Sequence, residues 1–242
     1  MEKRLAILLT ATVDPKGMRL TARSNPVQRL NDYETALPKW LKATDLPIVF
    51  CENSGYDIGS IQKVAEAHRR AVEFVSFTAP SFPEKMGKGY GEMLIIKEAI
   101  EKSKTIGPDT IVIKATGRIF VPNIAVMVER WRRIDFDVSC DLAPRLDWAD
   151  TLVFAASPTF LQTYLVPESE YLDELAEPML NFERTMAHAI LKAINAGMKW
   201  SPLPAAFRID GMSGTYNTPY GSKFSLMRHL AREWTIRKFL GS

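Results

Sequence analysis

Cysteine is nearly absent from this chain of 242 residues, and histidine is scarce: Cys51 and Cys140 stand far apart, and His68, His188 and His229 are scattered. No CxxC pair and no cysteine–histidine cluster occurs, which excludes a disulfide framework and a structural zinc site of the usual spacing. GxSxG is missing too, so a serine-hydrolase triad has no support. Long apolar runs are lacking. The run in "MEKRLAILLTATV" is too short to cross a bilayer, and Asp14 and Lys16 follow it where a leader would carry small residues, so it reads as a first buried strand. A formal charge of +3, with no basic run interleaved with aromatics, excludes a general nucleic-acid binder. Repeats, low-complexity tracts and evident linkers are also wanting, and the chain reads as a single domain, reduced and cytosolic.

What is present, 46% hydrophobic and 24% charged, alternates between two periodicities. Strand patterns cover "LAILLTATV" (5–13), "LPIVFCENS" (46–54), "VEFVSF" (72–77) and "DTIVIKAT" (109–116). Helical spacing fills the intervals at 27–42, 58–71 and 91–103. Parallel strands need such crossovers, so the alternation predicts an α/β fold, a mostly parallel sheet flanked by helices. Ligands of such sheets sit beyond the carboxyl ends of the strands.

Those ends are polar. The first carries Thr10, Thr12 and Asp14; the second Glu52, Asn53, Ser54 and Asp57 around Gly55; the fourth Lys114, Thr116, Gly117 and Arg118. Turn chemistry accounts for each by itself. Three together on one edge suggest a binding site, and two cations beside a glycine suit a phosphate. Ahead of the 91–103 helix, Gly87, Gly89 and Gly91 surround Lys88, so free backbone N–H groups and a cation can face an anion there. A flexible loop with Glu92 complementing the helix dipole fits the same residues. Neither the Walker spacing nor GxGxxG is present.

The order "LLTATVDP", "CENSGYD", "KGYGE" opening a helix, then "KATGRIFVPN" resembles bacterial glycosyltransferases of the GT-A type, particularly those that build surface polysaccharides. "ADTLVFAASPTFLQTYL" (149–165) is similar to their acceptor-side half, and the resemblance spans most of residues 5–200. It implies a GT-A-like, Rossmann-like sheet. About residues 1–125 would hold a nucleotide-sugar donor as co-substrate, and about 126–220 a saccharide or lipid-linked saccharide acceptor. Thr10, Glu52, Asn53, Ser54, Lys88, Gly89, Lys114, Gly117 and Arg118 are the expected donor-site residues. The family commonly places an Asp-x-Asp signature after the central strand, to hold a divalent cation against the diphosphate. Here that strand leads into "KATGRIF"; Asp135 and Asp137 keep the spacing in "DFDVSCD", but open another strand equally well. No metal ligand is therefore assigned, and Lys114, Arg118 and Lys88 are expected to stabilise the departing phosphate in the cation's place.

The reaction also needs a base. In this family an acidic residue at the start of the acceptor-side helix serves as base in inverting enzymes, and Glu183, early in the periodic stretch 177–197, matches that place. First-turn complementation of the helix dipole is the other account of it. His188 falls off the Glu183 face, and Asp141, Arg145, Asp147 and Asp150 belong to a loop that either meets a sugar or is merely solvated. "GMSGTYNTPYGS" (211–222) reads as a loop able to close over a nucleotide through Tyr216 and Asn217. A basic amphipathic helix from about Lys223, in the tail 221–242, either packs on the domain or lies on an anionic membrane, which would place the protein at the inner face of the membrane. The expectation is sugar transfer with inversion; a non-catalytic nucleotide-binding module and a sugar nucleotidyltransferase stand as alternatives.

Overall fold

A computed structural model describes residues 3–206 and 208–220. Four apolar segments form β1 (Arg4–Ala11), β2 (Ile48–Glu52), β3 (Val72–Ser76) and β4 (Thr110–Thr116), all parallel, connected through α1 (Pro26–Ala43), α2 (Gly59–Ala67) and α3 (Gly87–Lys102). Asn25 sets the start of α1: its side chain accepts from the N–H groups of Val27 and Gln28, and Pro26 follows where no donor is needed. The period of two along β1 then sorts the core. Ile7 and Leu9 face Tyr33, Leu37 and Trp40 of α1, while Leu8 faces Met93 and Ile96 of α3.

After β4 the chain turns back. Further elements are β5 (Ile119–Phe120), α4 (Ile124–Arg133), β6 (Val138–Ser139), β7 (Val153–Ala156), α5 (Pro158–Phe160), α6 (Phe182–Asn195), β8 (Trp200–Ser201) and β9 (Asp210–Gly211). β7 pairs antiparallel with β4, and the sheet runs β3-β2-β1-β4-β7-β6-β8, with β5 and β9 forming a separate ribbon. The fold is α/β and Rossmann-like, a mostly parallel sheet flanked by helices, as the alternation predicts. The basic helix expected from about Lys223 lies outside the described residues. Among those described, no helix is long and apolar enough to cross a membrane.

One boundary differs from the sequence pattern. Gly87, Gly89 and Gly91 lie inside the first turns of α3 rather than ahead of it. The reason is close packing: a Cβ on Gly89 would stand 3.1 Å from the Phe182 side chain and 3.2 Å from its backbone nitrogen. Glycine here serves the approach of α3 to the start of α6.

Register brings the polar strand ends together, with Thr10 opposite Thr116 and Ala11 opposite Glu52. Glu52 then locks two loops. Its fully buried carboxylate accepts from the N–H groups of Val13 (3.0 Å), Ser54 (2.9 Å) and Gly55 (3.0 Å), and from the Ser54 hydroxyl. Gly55 sits at φ +68°, and a Cβ there would fall 2.3 Å from the Thr78 hydroxyl. Hydrogen bonds to a charged group contribute about 1.5–3 kcal/mol each, and losing the acceptor strands several donors. Glu52→Ala is therefore expected to lower unfolding free energy in urea by about 3 kcal/mol or more; a loss under about 1 kcal/mol contradicts this role.

Candidate active site

Beyond the carboxyl ends of β1 and β4 lies a cavity of about 340 Å³. Thr10, Thr12 and Lys114 form its floor, Lys88 and Gly89 of α3 one wall, Thr116 and Arg118 another, and Phe182 and Glu183 of α6 a third. Glu174 and the segment 213–216 complete it. A second cavity of about 410 Å³ adjoins it, shares Thr12, Pro15 and Met18, and is lined by Asn53, Ser54 and Asp14.

Lys114 is the most buried of the cations, 2% exposed. Its ammonium lies 2.6 Å from Glu92 Oε1, donates to the Thr151 carbonyl at 2.7 Å and stands 5.8 Å from the Phe182 ring centre. Thr10 donates its hydroxyl to the same Glu92 oxygen at 2.6 Å. Burial works against the Glu92 charge, yet Lys114, then Thr10, then Arg118 hold its carboxyl below the usual carboxylate range. The pair closes the floor of the cavity.

Arg118 and Lys88 are engaged differently. The Arg118 guanidinium donates to the Met212 carbonyl and packs so closely on Gly214 that a Cβ there would meet Nη2 at 2.6 Å. Lys88 Nζ donates to the Thr215 hydroxyl at 2.5 Å. Arg23 secures the same segment: its N–H donates to the Gly214 carbonyl at 3.1 Å and its guanidinium to Asn217 Oδ1 at 2.8 Å. Arg118 and Lys88 thus both rest on neutral oxygens of one segment.

Three further carboxyls belong here: Glu183 and Glu174 line the cavity, and Asp150 is near Glu183. Glu183 stands in the first turn of α6, which Asn181 caps by accepting from the Arg184 N–H, and it accepts from the Thr151 hydroxyl at 3.4 Å. Burial pushes Asp150 up, opposed by the Leu152 N–H and reinforced by the Glu183 charge. Glu174 is also pushed up by burial, with Glu183 again adding to the shift while the Gly89 N–H and Lys88 oppose it.

The remaining expected residues lie around this centre. Asn53 accepts from the Thr12 hydroxyl (2.7 Å) and donates to the Gly91 carbonyl (3.1 Å); Ser54 accepts from the Asp14 N–H (3.1 Å), and both line the second cavity. Gly117 packs against the end of β1 and does not line the cavity: its N–H donates to the Thr10 carbonyl at 2.8 Å, and a Cβ would sit 3.0 Å from that oxygen. Glu52 ties loops and lines neither cavity. Asp135 pairs with Lys199, and Asp137 accepts from the Lys199 N–H; neither lines the cavities. His188 is held by Glu168 at 2.6 Å, apart from Glu183's surroundings. Among the described residues no group of three or more His, Cys, Asp or Glu side chains is placed to hold a metal ion; Glu92 is committed to Lys114 and Thr10. Glu92, Thr151 and Glu174 were not signalled by spacing: each meets its partners across long stretches of chain.

A scan of family models finds no match, nor does a search of curated proteins. Among solved structures, a CMP:2-keto-3-deoxy-manno-octonic acid synthetase complexed with CTP is 13% identical with a TM-score of 0.45, covering 95% of this chain and 98% of that one. Core-mannan synthase A from Aspergillus fumigatus, in its Mn/GDP form, is 10% identical with a TM-score of 0.43 over 91% of this chain and 78% of that one. HddC from Yersinia pseudotuberculosis is 11% identical with a TM-score of 0.44 over 95% and 99%. At such identity these are distant likenesses of chain path and say nothing of substrate.

The Lys114–Glu92 pair sets a pH signature. Because the folded-state carboxyl is depressed, its contribution is present above the unfolded value of about 4.3 and is lost as pH falls through the folded value. Glu92→Gln leaves Lys114 buried without a counter-charge and is expected to cost about 3 kcal/mol in urea unfolding at neutral pH. Wild type and variant should converge in acid; parallel stability curves over the whole range contradict the assignment.

Proposed function

We propose that the protein is a glycosyltransferase that moves a sugar from a nucleotide-sugar donor to a saccharide acceptor with inversion. The observation that carries this reading is a single cavity at the strand ends with Glu183 on one wall and Arg118 and Lys88 on others. A carboxylate beside a cationic pocket suits a reaction in which a proton leaves one partner while negative charge grows on the other.

In this mechanism the acceptor hydroxyl gives its proton to Glu183 as its oxygen bonds to the anomeric carbon. The bond from that carbon to the phosphate oxygen breaks, and its electron pair leaves with the nucleoside diphosphate. Arg118 and Lys88 exchange the Met212 carbonyl and the Thr215 hydroxyl for phosphate oxygens. Attack opposite the leaving group inverts the centre. Lys114, neutralised by Glu92, positions the floor and does not bind the phosphate as a free cation. Acceptors of the bacterial surface-polysaccharide kind, free or lipid-linked, are the proposed partners, the latter at the inner face of the membrane.

The test is release of nucleoside diphosphate from a panel of nucleotide sugars offered with saccharide acceptors. Glu183→Gln is expected to lower kcat by about 10²–10⁴, the usual contribution of a positioned base. Arg118→Met is expected to lower kcat by about 10²–10³ through loss of charge stabilisation. Full activity in Glu183→Gln removes it as base. Pyrophosphate released from a nucleoside triphosphate and a sugar phosphate would instead mark nucleotidyl transfer, and nucleotide binding without turnover a binding module.

A further inference from the structure

Glu174 is a buried carboxyl for which the sugar-transfer mechanism has no use. It is 8% exposed, and its Oε2 has no hydrogen-bond partner. Native structures seldom leave a buried polar atom orphaned without a reason. The carboxyl lies flat against the start of α3: a Cβ on Gly87 would stand 2.0 Å from its Cδ, and Gly87 takes φ +59°. Oε1 accepts a long 3.4 Å bond from the Gly89 N–H, and the Lys88 N–H also acts on the carboxyl. The chain on either side fixes it there, since the Glu174 N–H donates to the Lys85 carbonyl at 2.6 Å and Asp173 bridges to Leu180.

Glu174 therefore stands where an anion would meet the first turn of α3 beside Lys88. Two full negative charges cannot share that turn at low cost. We propose that phosphate binding in this cavity is linked to a proton on Glu174: the carboxyl admits the phosphate as the neutral acid and disfavours it as the carboxylate. The unpartnered Oε2 is then the atom that carries the proton, and the neutral acid removes the repulsion.

The charged groups facing Glu174 do not cancel this effect. Lys88 of α3 faces it and is held by Thr215; Glu183 of α6 is a like charge; Lys85, before α3, pairs with Asp173 at 3.6 Å. Glu92, further along α3, is taken by Lys114, and Arg118 rests on Met212. Burial, reinforced by Glu183, raises the Glu174 carboxyl above its ordinary range, so the acid form persists into less acidic solution. Affinity for a phosphate is therefore present below the Glu174 pKa and falls as pH rises through it.

The proposal rests on the cavity being a phosphate site, and sulfate, a tetrahedral dianion that does not titrate near neutrality, probes it without base or sugar. Sulfate affinity of the whole protein is to be measured by calorimetry at about pH 5.5 and about pH 8.5 for wild type, Glu174→Gln and Lys88→Met. Wild-type affinity should fall with pH by up to about tenfold per unit above the Glu174 pKa, Glu174→Gln should stay flat and bind more tightly in alkali, and Lys88→Met should bind weakly throughout. Equal pH profiles in wild type and Glu174→Gln overturn the proton linkage while leaving the phosphate site standing. Absence of sulfate binding in every protein overturns both. Wild type alone, titrated in two buffers of different ionisation heat, should take up about half a proton on binding at the Glu174 pKa and approach one above it; no uptake at any pH overturns the linkage even if the variant fails to fold.

Discussion

An ammonium at the carboxyl end of the central strand, 2% exposed, cannot remain there without a counter-charge, and the way Lys114 is neutralised arranges everything around it. Glu92 reaches it from α3, Thr10 donates to the same carboxylate oxygen from β1, and the Thr151 carbonyl accepts from the other side. Strand, helix and the chain entering β7 are thereby pinned at one point. That network is the floor of the cavity. Its charges are spent on each other, so the remaining cations and carboxyls, standing higher on the walls, set what the cavity can bind.

Those walls carry both signs. Arg118 and Lys88 lean on neutral oxygens of the 212–215 segment, and a charge-assisted hydrogen bond to an anion is stronger than one to a carbonyl or hydroxyl, which is why the proposed mechanism exchanges them for phosphate oxygens. Glu183 stands on α6, Glu174 lies against the start of α3 beside Lys88, and Glu183 pushes up both Glu174 and the nearby Asp150 in part. A cavity of this kind fixes its charged groups before any ligand arrives, and preorganisation of that sort is what electrostatic catalysis requires.

Much of the fold was legible because it is written in local periodicity. Runs such as 109–116 and the helical stretch 27–42 announce strand and helix without reference to anything distant. The meeting of strand ends was legible as well, since parallel order places Thr10 beside Thr116. What could not be read were pairings across sequence. Glu92 looks like a residue complementing a helix dipole until β4 brings Lys114 within 2.6 Å, and Glu174 sits in "DELAEP" with no spacing that points to Gly87. The glycines of "GKGYG" read as a loop because conformational freedom is their commonest use; here tight packing on Phe182 is what Gly89 supplies. Glu52 is the converse case, a polar residue at a strand end whose four hydrogen bonds all turn inward to the loops it joins.

The central claim is that the walls above the Lys114–Glu92 floor receive a diphosphate. A crystal structure with a bound nucleoside diphosphate tests it most directly. The account predicts phosphate oxygens within hydrogen-bonding distance of Arg118 and Lys88, with the Met212 and Thr215 contacts released and the open end of the diphosphate turned toward Glu183. A diphosphate seated in the neighbouring cavity beside Asn53 and Ser54, with Arg118 still bound to the Met212 carbonyl, would contradict it.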